Sequence, residues 1–396
     1  MFEPILKQLA CPGQRNPCGG QLNLRSDHSV PGGNHLGCED VISGLLCCEA
    51  CGQSYPIIAG IAVILPDWSD YILARCRHIS ALPAAALPVE AVQLLTDPNA
   101  RHRRIAQVDN WEATDVLNGY LLSHFLFHAL DGPGDLDSIF SSKRIAAQVR
   151  QDWPQTPLFL LKSWLTGDLL SGGVLELGCS VGGTVPLLAE LLSGPYLGLD
   201  MSIRSVAMAR RLILGTADAA RGLLPEQFAL SAKDGLDNAT RSRLRGLAVD
   251  FVVADALRPP VAKHDWDVVS AMNMVDFSPD PVSFVQMQAD LLRLGGRCFT
   301  TAPLSPHSPA YKALSDWSSG SASSPADVLT GAYRQAGLAL SQWQVDLPWI
   351  VPRGPRYVEY FSVDAFLLER LSSPEADIPK ETGEWCNDNN TGQVSS

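Results

Sequence analysis

The chain has 396 residues, 46% of them hydrophobic, which is enough for roughly two or three domains with a sizeable core. Thirty basic against 42 acidic residues give a formal charge of −12. That charge repels a phosphate backbone, so nucleic acid is not the expected partner. Nowhere is there an apolar run long enough for a membrane helix, and the start MFEPILKQLACPG lacks a basic-then-apolar leader. The sequence therefore predicts a cytoplasmic protein with no membrane partner.

Residues 1–67 read as a small separate module: a short helix, ACPGQRNPCGGQLNL, a glycine-rich loop, then LLCCEACGQSYPIIAGIAVILPD. Seven of the ten cysteines (Cys11, Cys18, Cys38, Cys47, Cys48, Cys51, Cys76) fall within the first 76 residues, and without a secretion signal this favours a metal site over disulfides. The knuckle Cys48-x-x-Cys51, followed by Tyr55-Pro56-Ile57 and Gly60-Ile61, resembles the small zinc-ribbon family found as activating partners of methyltransferases. The first knuckle is stretched to Cys11-x6-Cys18. The resemblance implies a structural zinc on Cys11, Cys18, Cys48 and Cys51, since four thiolates suit a tetrahedral ion. Cys38, Cys47, His28 and His35 stand as substitute ligands, and a metal-free ribbon held by apolar packing is the other reading.

Residues 68–157 read as a connector and helical lid. Between Tyr71 and Ala100 an Ala/Pro/Leu-rich stretch predicts short helical pieces. Residues Asn110 to Leu130 have helical spacing, with Tyr120, His124 and His128 on one face. Two histidines four apart can bind metal or move a proton, although on an apolar helix such residues are more often packed core. DGPGD (Asp131–Asp135) breaks that helix, and Pro157 to Gly167 leads helically into the next segment.

Residues 158–371 contain VLELGCSVGGT, Val174 to Thr184: a buried strand end, an acidic residue, then a glycine-rich turn opening a helix. Glu176 is a carboxylate inside an apolar strand end, so it needs a partner, expected at the carboxyl edge where open α/β sheets hold ligands. YLGLD places Asp200 at the end of a second strand, VDFVVADA places Asp255 at a third, and DWDVVSAMN leads to Asn273 at a fourth. Ser202 is placed to cap a helix through Ala209 and Leu214, and Gly215 to Ala248 is an insertion whose RSRLR (Arg241–Arg245) reads as a solvated helix face. A helix over Pro281–Leu292, a fifth strand in LGGRCFTTAP and a helix over Ser324–Ala336 follow. Two alternating strands around the turn Pro352–Pro355 close the segment, and residues 372–396 read as a disordered polar tail.

Together these stretches resemble the class I S-adenosylmethionine-dependent methyltransferase family. The resemblance implies an α/β chain: a doubly wound Rossmann-like sheet with a C-terminal antiparallel hairpin, preceded by the ribbon-like module. It implies S-adenosylmethionine as cofactor, with Glu176, Gly178, Ser180 and Gly182 beside the methionine part and Ser180 standing where a glycine is usual. Asp200 corresponds to the ligand of the ribose hydroxyls, Met201 to the apolar residue on adenine, and Asp255 with Ala256 to the pair reading the adenine edge. Asn273 lies at the cofactor's edge, and with Asp276, His307 and Tyr311 it makes up the candidate catalytic set. Arg353, Arg356 and Tyr357 on the last hairpin are candidates to hold a substrate carboxylate.

The expected function is methyl transfer to the N or O nucleophile of a small metabolite. Three other readings stand beside it: an RNA- or protein-directed methyltransferase that docks its partner through the ribbon, a nicotinamide enzyme with an imperfect dinucleotide fingerprint, and a non-catalytic scaffold.

Overall fold

The structure is a computed structural model. It describes residues 1–13, 18–32, 38–100, 112–125, 136, 139–165, 167, 169–215, 219–224, 238–244, 246–262, 266–317 and 324–371, apart from the side chains at 238 and 241. His35, His128, the break at Asp131–Asp135, most of the insertion after Gly215 and the tail 372–396 lie outside the described residues.

Strands β1 (Leu22–Pro31), β2 (Glu39–Cys48), β3 (Ser54–Ile58) and β4 (Ile61–Ile64) form an antiparallel meander. Ala59 and Gly60, both at positive φ (51° and 85°), make the two-residue turn between β3 and β4, the geometry that matches strand twist in tight hairpins. The remaining strands are β5 (Val174–Leu177), β6 (Tyr196–Asp200), β7 (Val249–Ala254), β8 (Trp266–Met272), β9 (Leu292–Ala302), β10 (Leu338–Gly354) and β11 (Tyr357–Arg370).

All eleven strands belong to one sheet, in the order β1-β2-β3-β4-β7-β6-β5-β8-β9-β11-β10. From β4 to β9 the neighbours run parallel; β11 is antiparallel to β9 and β10 to β11. The chain moves outward one way from β5 through β6 to β7, then restarts on the other side with β8 and β9. The crevice at that reversal is where doubly wound sheets bind ligands. The closing antiparallel hairpin is the one the sequence led us to expect.

The N-terminal segment is not set apart from this sheet as its sequence suggests. β4 adds to it in parallel, with Val63 beside Val253 and Ile64 beside Ala254. The reason is visible in β4 itself: all four residues, Ile-Ala-Val-Ile, are buried, the pattern of a strand covered on both faces rather than of a half-exposed ribbon edge.

A buried ion cluster fastens the same junction. Arg210 donates to Asp40 on β2 at 2.8 and 3.0 Å and to Asp250 on β7, and all three are at most 2% exposed. Burial alone would raise the Asp40 carboxyl, but the facing guanidinium and the Met1 amino group together outweigh it and hold the group below the ordinary carboxylate range. Arg210 reaches inward because the helix Ile203–Ala209, capped by Ser202 accepting from Ser205 N at 3.1 Å, widens into a π turn over Arg210–Leu214 before Gly215 ends it at φ 71°.

Both faces of the sheet are covered. Val174, Tyr196, Phe251 and Val268 face one core, while Leu175, Leu197, Val252 and Val269 face the other. The helix Pro281–Leu291 starts at an Asp280 cap that accepts from Ser283 N at 3.0 Å, and Pro325–Gln335 starts at a Ser324/Asp327 capping box. The helix Thr114–Phe125 lies on the hairpin, where Gly119 permits a close approach: a Cβ there would stand 2.8 Å from Pro352 O. Among the described residues no helix is long and apolar enough to cross a membrane.

Candidate active site and metal centre

The glycine-rich turn leaves β5 at Leu177 and bends over the sheet's carboxyl edge. Gly178 and Gly182 take φ 76° and 78°, and between them Ser180 takes φ 48°. A non-glycine residue in that region is strained, and here it is held by one specific bond: Ser180 N donates to Asp200 Oδ2 at 2.8 Å. Asp200 Oδ1 accepts from Ser202 N at 2.8 Å, so the carboxylate ties the loop after β5 to the loop after β6. Burial raises the Asp200 carboxyl to about 6, against the opposing pull of the Ser202 and Ser180 amides.

Met201 follows with 45% of its surface exposed, an apolar side chain left uncovered past the end of β6. Asp255 stands just past β7; its Oδ1 accepts from Leu257 N at 2.9 Å, which turns the chain and leaves Oδ2 for another donor. Ala256 beside it is buried.

Asn273 follows β8 at φ 57°, with its N–H directed to Thr301 O at 2.9 Å and its Oδ1 accepting from Thr301 Oγ1 at 2.8 Å. Leu304, after β9, is also left-handed, at φ 46°. Three strained non-glycine residues, Ser180, Asn273 and Leu304, thus gather past the carboxyl ends of β5, β8 and β9, where backbone strain is characteristic of binding sites.

Two candidates sit differently from the sequence reading. Glu176 finds its partners inside the protein: Oε2 accepts from Thr184 Oγ1 at 2.5 Å and from the Tyr196 hydroxyl. Its Oε1 is buried and, among the described residues, unpartnered; burial raises the carboxyl to about 7. Asp276 spends both oxygens on the loop after β9, accepting from Leu304 N at 3.1 Å and Ser305 N at 2.8 Å, which is the work of a loop staple. That loop carries His307, exposed, and leads into the helix Pro309–Trp317 with Tyr311 half-buried. Among the described residues, no hydrogen bond or ion pair joins either to the Gly178–Gly182 turn.

Tyr71, which the sequence placed in a plain connector, belongs to the site. Its hydroxyl donates to Met201 O at 2.7 Å and accepts from Ile203 N at 3.0 Å, clamping the loop that presents Asp200. Arg75 stacks over the Tyr71 ring at 3.7 Å and pairs with Glu112 at 2.8 Å. Tyr71 had no motif to betray it, because its partners Met201 and Ile203 lie 130 and 132 residues further along the chain; Thr184 and Tyr196 fall within the stretches read from sequence, but their bonds to Glu176 do not show there.

At the other end of the chain, the sulfurs of Cys11, Cys18, Cys48 and Cys51 all lie within 4.8 Å of one another. The pairs Cys11–Cys51 and Cys18–Cys48 are 3.6 and 3.7 Å apart. Four sulfurs at a Zn–S distance of about 2.3 Å in a tetrahedron are about 3.8 Å apart, so the set fits zinc. The stretched first knuckle is accommodated without recourse to Cys38, Cys47 or His28, none of which joins the cluster.

The fold is a doubly wound α/β sheet with a crevice at its reversal, closed by an antiparallel hairpin and extended on one edge by a four-cysteine ribbon. No protein-family model and no curated protein sequence matches the chain. Solved structures that resemble it include geranyl diphosphate methyltransferase in complex with S-adenosylmethionine (13% identity, 61% of this chain and 92% of that one, TM-score 0.38). Another is a chain of the complex between the Haloferax volcanii Trm112 methyltransferase activator and its methyltransferase (16%, 57% and 93%, TM-score 0.36). A third is the YcgJ protein of Bacillus subtilis (14%, 55% and 99%, TM-score 0.35). At these identities and scores, the functional reading rests on the site itself.

Proposed function

We propose that the chain is an S-adenosylmethionine-dependent methyltransferase acting on a small molecule. The observation that carries this reading is the Ser180–Asp200 link, which sets a strained glycine-rich loop and the Asp200 carboxylate side by side at the sheet's reversal. Gly178, Ser180 and Gly182 would lie along the methionine part, Asp200 would hold the ribose, and Met201, Asp255 and Ala256 would hold the adenine. The cofactor supplies an activated methyl group; the chain's own work is to orient the acceptor and exclude water. Asn273, just past β8, would help to orient the acceptor.

Zinc on Cys11, Cys18, Cys48 and Cys51 would be structural, with no position left open for chemistry. A macromolecular acceptor, with a protein or RNA docked on the ribbon, is the second reading. Against it stands the use of one of the ribbon's two edges within the chain, where β4 pairs with β7 and Asp40 with Arg210, leaving only the β1 edge open. Incubation with methyl-labelled S-adenosylmethionine and cell extract separates the two. Label in the low-molecular-weight fraction supports the first reading; label retained on protein or RNA supports the second.

A further inference from the structure

Four segments distant in sequence meet at Glu112, just ahead of the helix Thr114–Phe125. Its Oε1 accepts from Arg75 Nε at 2.8 Å, and its backbone oxygen accepts from Arg204 Nη1. Arg204 also donates from Nε to Leu223 O at 2.8 Å and from Nη2 to Thr114 Oγ1 at 3.5 Å, so one guanidinium gathers the helix start, the turn Arg221–Leu223 and its own helix Ile203–Ala209. Glu112 is 5% and Arg204 6% exposed. Charged groups so deeply buried depend on every partner being in place, and taking one away is strongly destabilising.

These bonds bracket the loop that presents Asp200. On one side, Ser202 donates its N–H to Asp200 and caps the helix that carries Arg204. On the other, Tyr71 clamps Met201 and Ile203, while Arg75 lies on its ring and donates from Nη1 to Tyr71 O at 3.4 Å. Both brackets end on Glu112. The far end of the same helix meets the glycine-rich turn, because a Cβ on Gly183 would lie 2.4 Å from His124 Cβ. Thr114 and His124 are about 15 Å apart along the helix axis, so the helix runs from the loop after β6 to the turn after β5. Ser123 Oγ, donating to Ile350 O at 2.8 Å, holds it down on the closing hairpin.

We propose that Glu112 is a positioning residue that makes the helix Thr114–Phe125 and the loop Asp200–Ile203 one cooperative unit, so that a ligand held by Asp200 protects the helix as well. The proposal deepens the methyl-transfer reading and rests on it. A segment tied at both ends to binding loops cannot open without loosening them, and a ligand that binds only the closed arrangement suppresses that opening by mass action. Glu112 also acts on Asp200 through its charge. Burial raises the Asp200 carboxyl to about 6, the Ser202 and Ser180 amides pull it down, and the like charge of Glu112 adds to the rise. The other titratable groups facing Asp200 are Tyr71 on the connector, Tyr120 on the helix, and Cys179 and Glu176 at the end of β5. Burial raises all four: the tyrosines and the thiol are neutral near pH 6, and Glu176, raised to about 7, is mostly protonated there. Glu112 is left as the facing anion.

Hydrogen exchange on the full chain tests this. A calorimetric titration with S-adenosylhomocysteine first reports on the cofactor reading alone. With that ligand at about a hundred times its dissociation constant, amide exchange across Thr114–Phe125 is expected to slow at least about tenfold, within the roughly hundredfold that mass action allows. Glu112→Ala, brought to the same saturation, should lose that slowing. Glu112→Gln keeps a hydrogen-bonding side chain without the charge, so it should keep part of the slowing. In that variant the pH at which binding fails should move lower, because Asp200 ionises more easily once the like charge is gone. A role confined to folding would not move that pH. Helix exchange that ignores bound ligand in the wild type, wild-type slowing in Glu112→Ala, or an unmoved pH in Glu112→Gln would overturn the proposal. If the wild type binds no S-adenosylhomocysteine, the cofactor reading falls, and the unit is tested on the ligand-free chain. There Glu112→Ala should speed exchange in Thr114–Phe125 and Ile203–Ala209 together, and a change confined to one of them, or to neither, would overturn it.

Discussion

Ser180 N lies 2.8 Å from Asp200 Oδ2, so the one strained non-glycine residue of the glycine-rich turn is held by the carboxylate that the next strand delivers. Loop and carboxylate are therefore a single element. Replacing Ser180 by glycine removes the left-handed penalty and keeps the amide, and we expect stability within about 1 kcal/mol of wild type with cofactor affinity retained. A β-branched side chain cannot adopt that φ without much greater strain, so Ser180→Val should lower the melting temperature and weaken binding together. Equal behaviour of the two variants would count against the geometry.

Glu176 gives a pH signature. Its folded carboxyl is raised to about 7 by burial, above the ordinary glutamate value. A group raised in this way leaves stability intact below its unfolded pKa and erodes it as pH rises through the folded one. The erosion falls between about pH 4.5 and 7 and amounts to at most about 3 kcal/mol. Glu176→Gln should flatten the stability profile over that window while leaving it unchanged below it. Chemical denaturation at a series of pH values checks this, and parallel profiles for the two proteins would contradict it.

Arg210 sits between two buried carboxylates from different parts of the chain. Arg210→Met takes the guanidinium from Asp250 and leaves Asp40 only the Met1 amino group, and breaking a buried ion cluster from one side costs about 3–5 kcal/mol. Adding Asp250→Asn to that variant should restore part of the loss by removing one uncompensated charge. A melting temperature unchanged by Arg210→Met would show that the cluster does not fasten the ribbon to the sheet.

Zinc, if held by the four cysteines, should matter to the whole chain and not to the ribbon alone. Because Val63 and Ile64 pair with Val253 and Ala254, loosening the ribbon uncovers the edge of β7. Metal analysis should find about one zinc per chain, and chelation should lower a single calorimetric transition. Metal loss without any change in that transition would separate the two parts.

Much of this was legible in the sequence where the physics is local. The run Val174 to Leu177, the turn glycines, Asp200 at the end of β6 and the caps Ser202 and Ser324 each declare themselves through neighbouring residues. The cysteine knuckles did so too, although spacing alone did not show that a six-residue gap closes as well as a two-residue one. What stayed hidden depends on distant pairing: Ile61–Ile64 joining the parallel sheet, Tyr71 clamping the loop at Met201, Tyr196 meeting Glu176. The partners of Asp276 stayed hidden for the same reason, since the loop amides it serves lie 28 and 29 residues further along the chain.

The central claim is that the crevice binds S-adenosylmethionine through Asp200, and isothermal titration of the intact chain tests it most directly. The account predicts saturable binding of S-adenosylmethionine and its demethylated product at pH 8. Affinity should fall as pH drops through about 6, where Asp200 takes up a proton, and should fall at least about tenfold in Asp200→Ala. Absence of binding to the wild type, or binding that Asp200→Ala leaves intact, would contradict it.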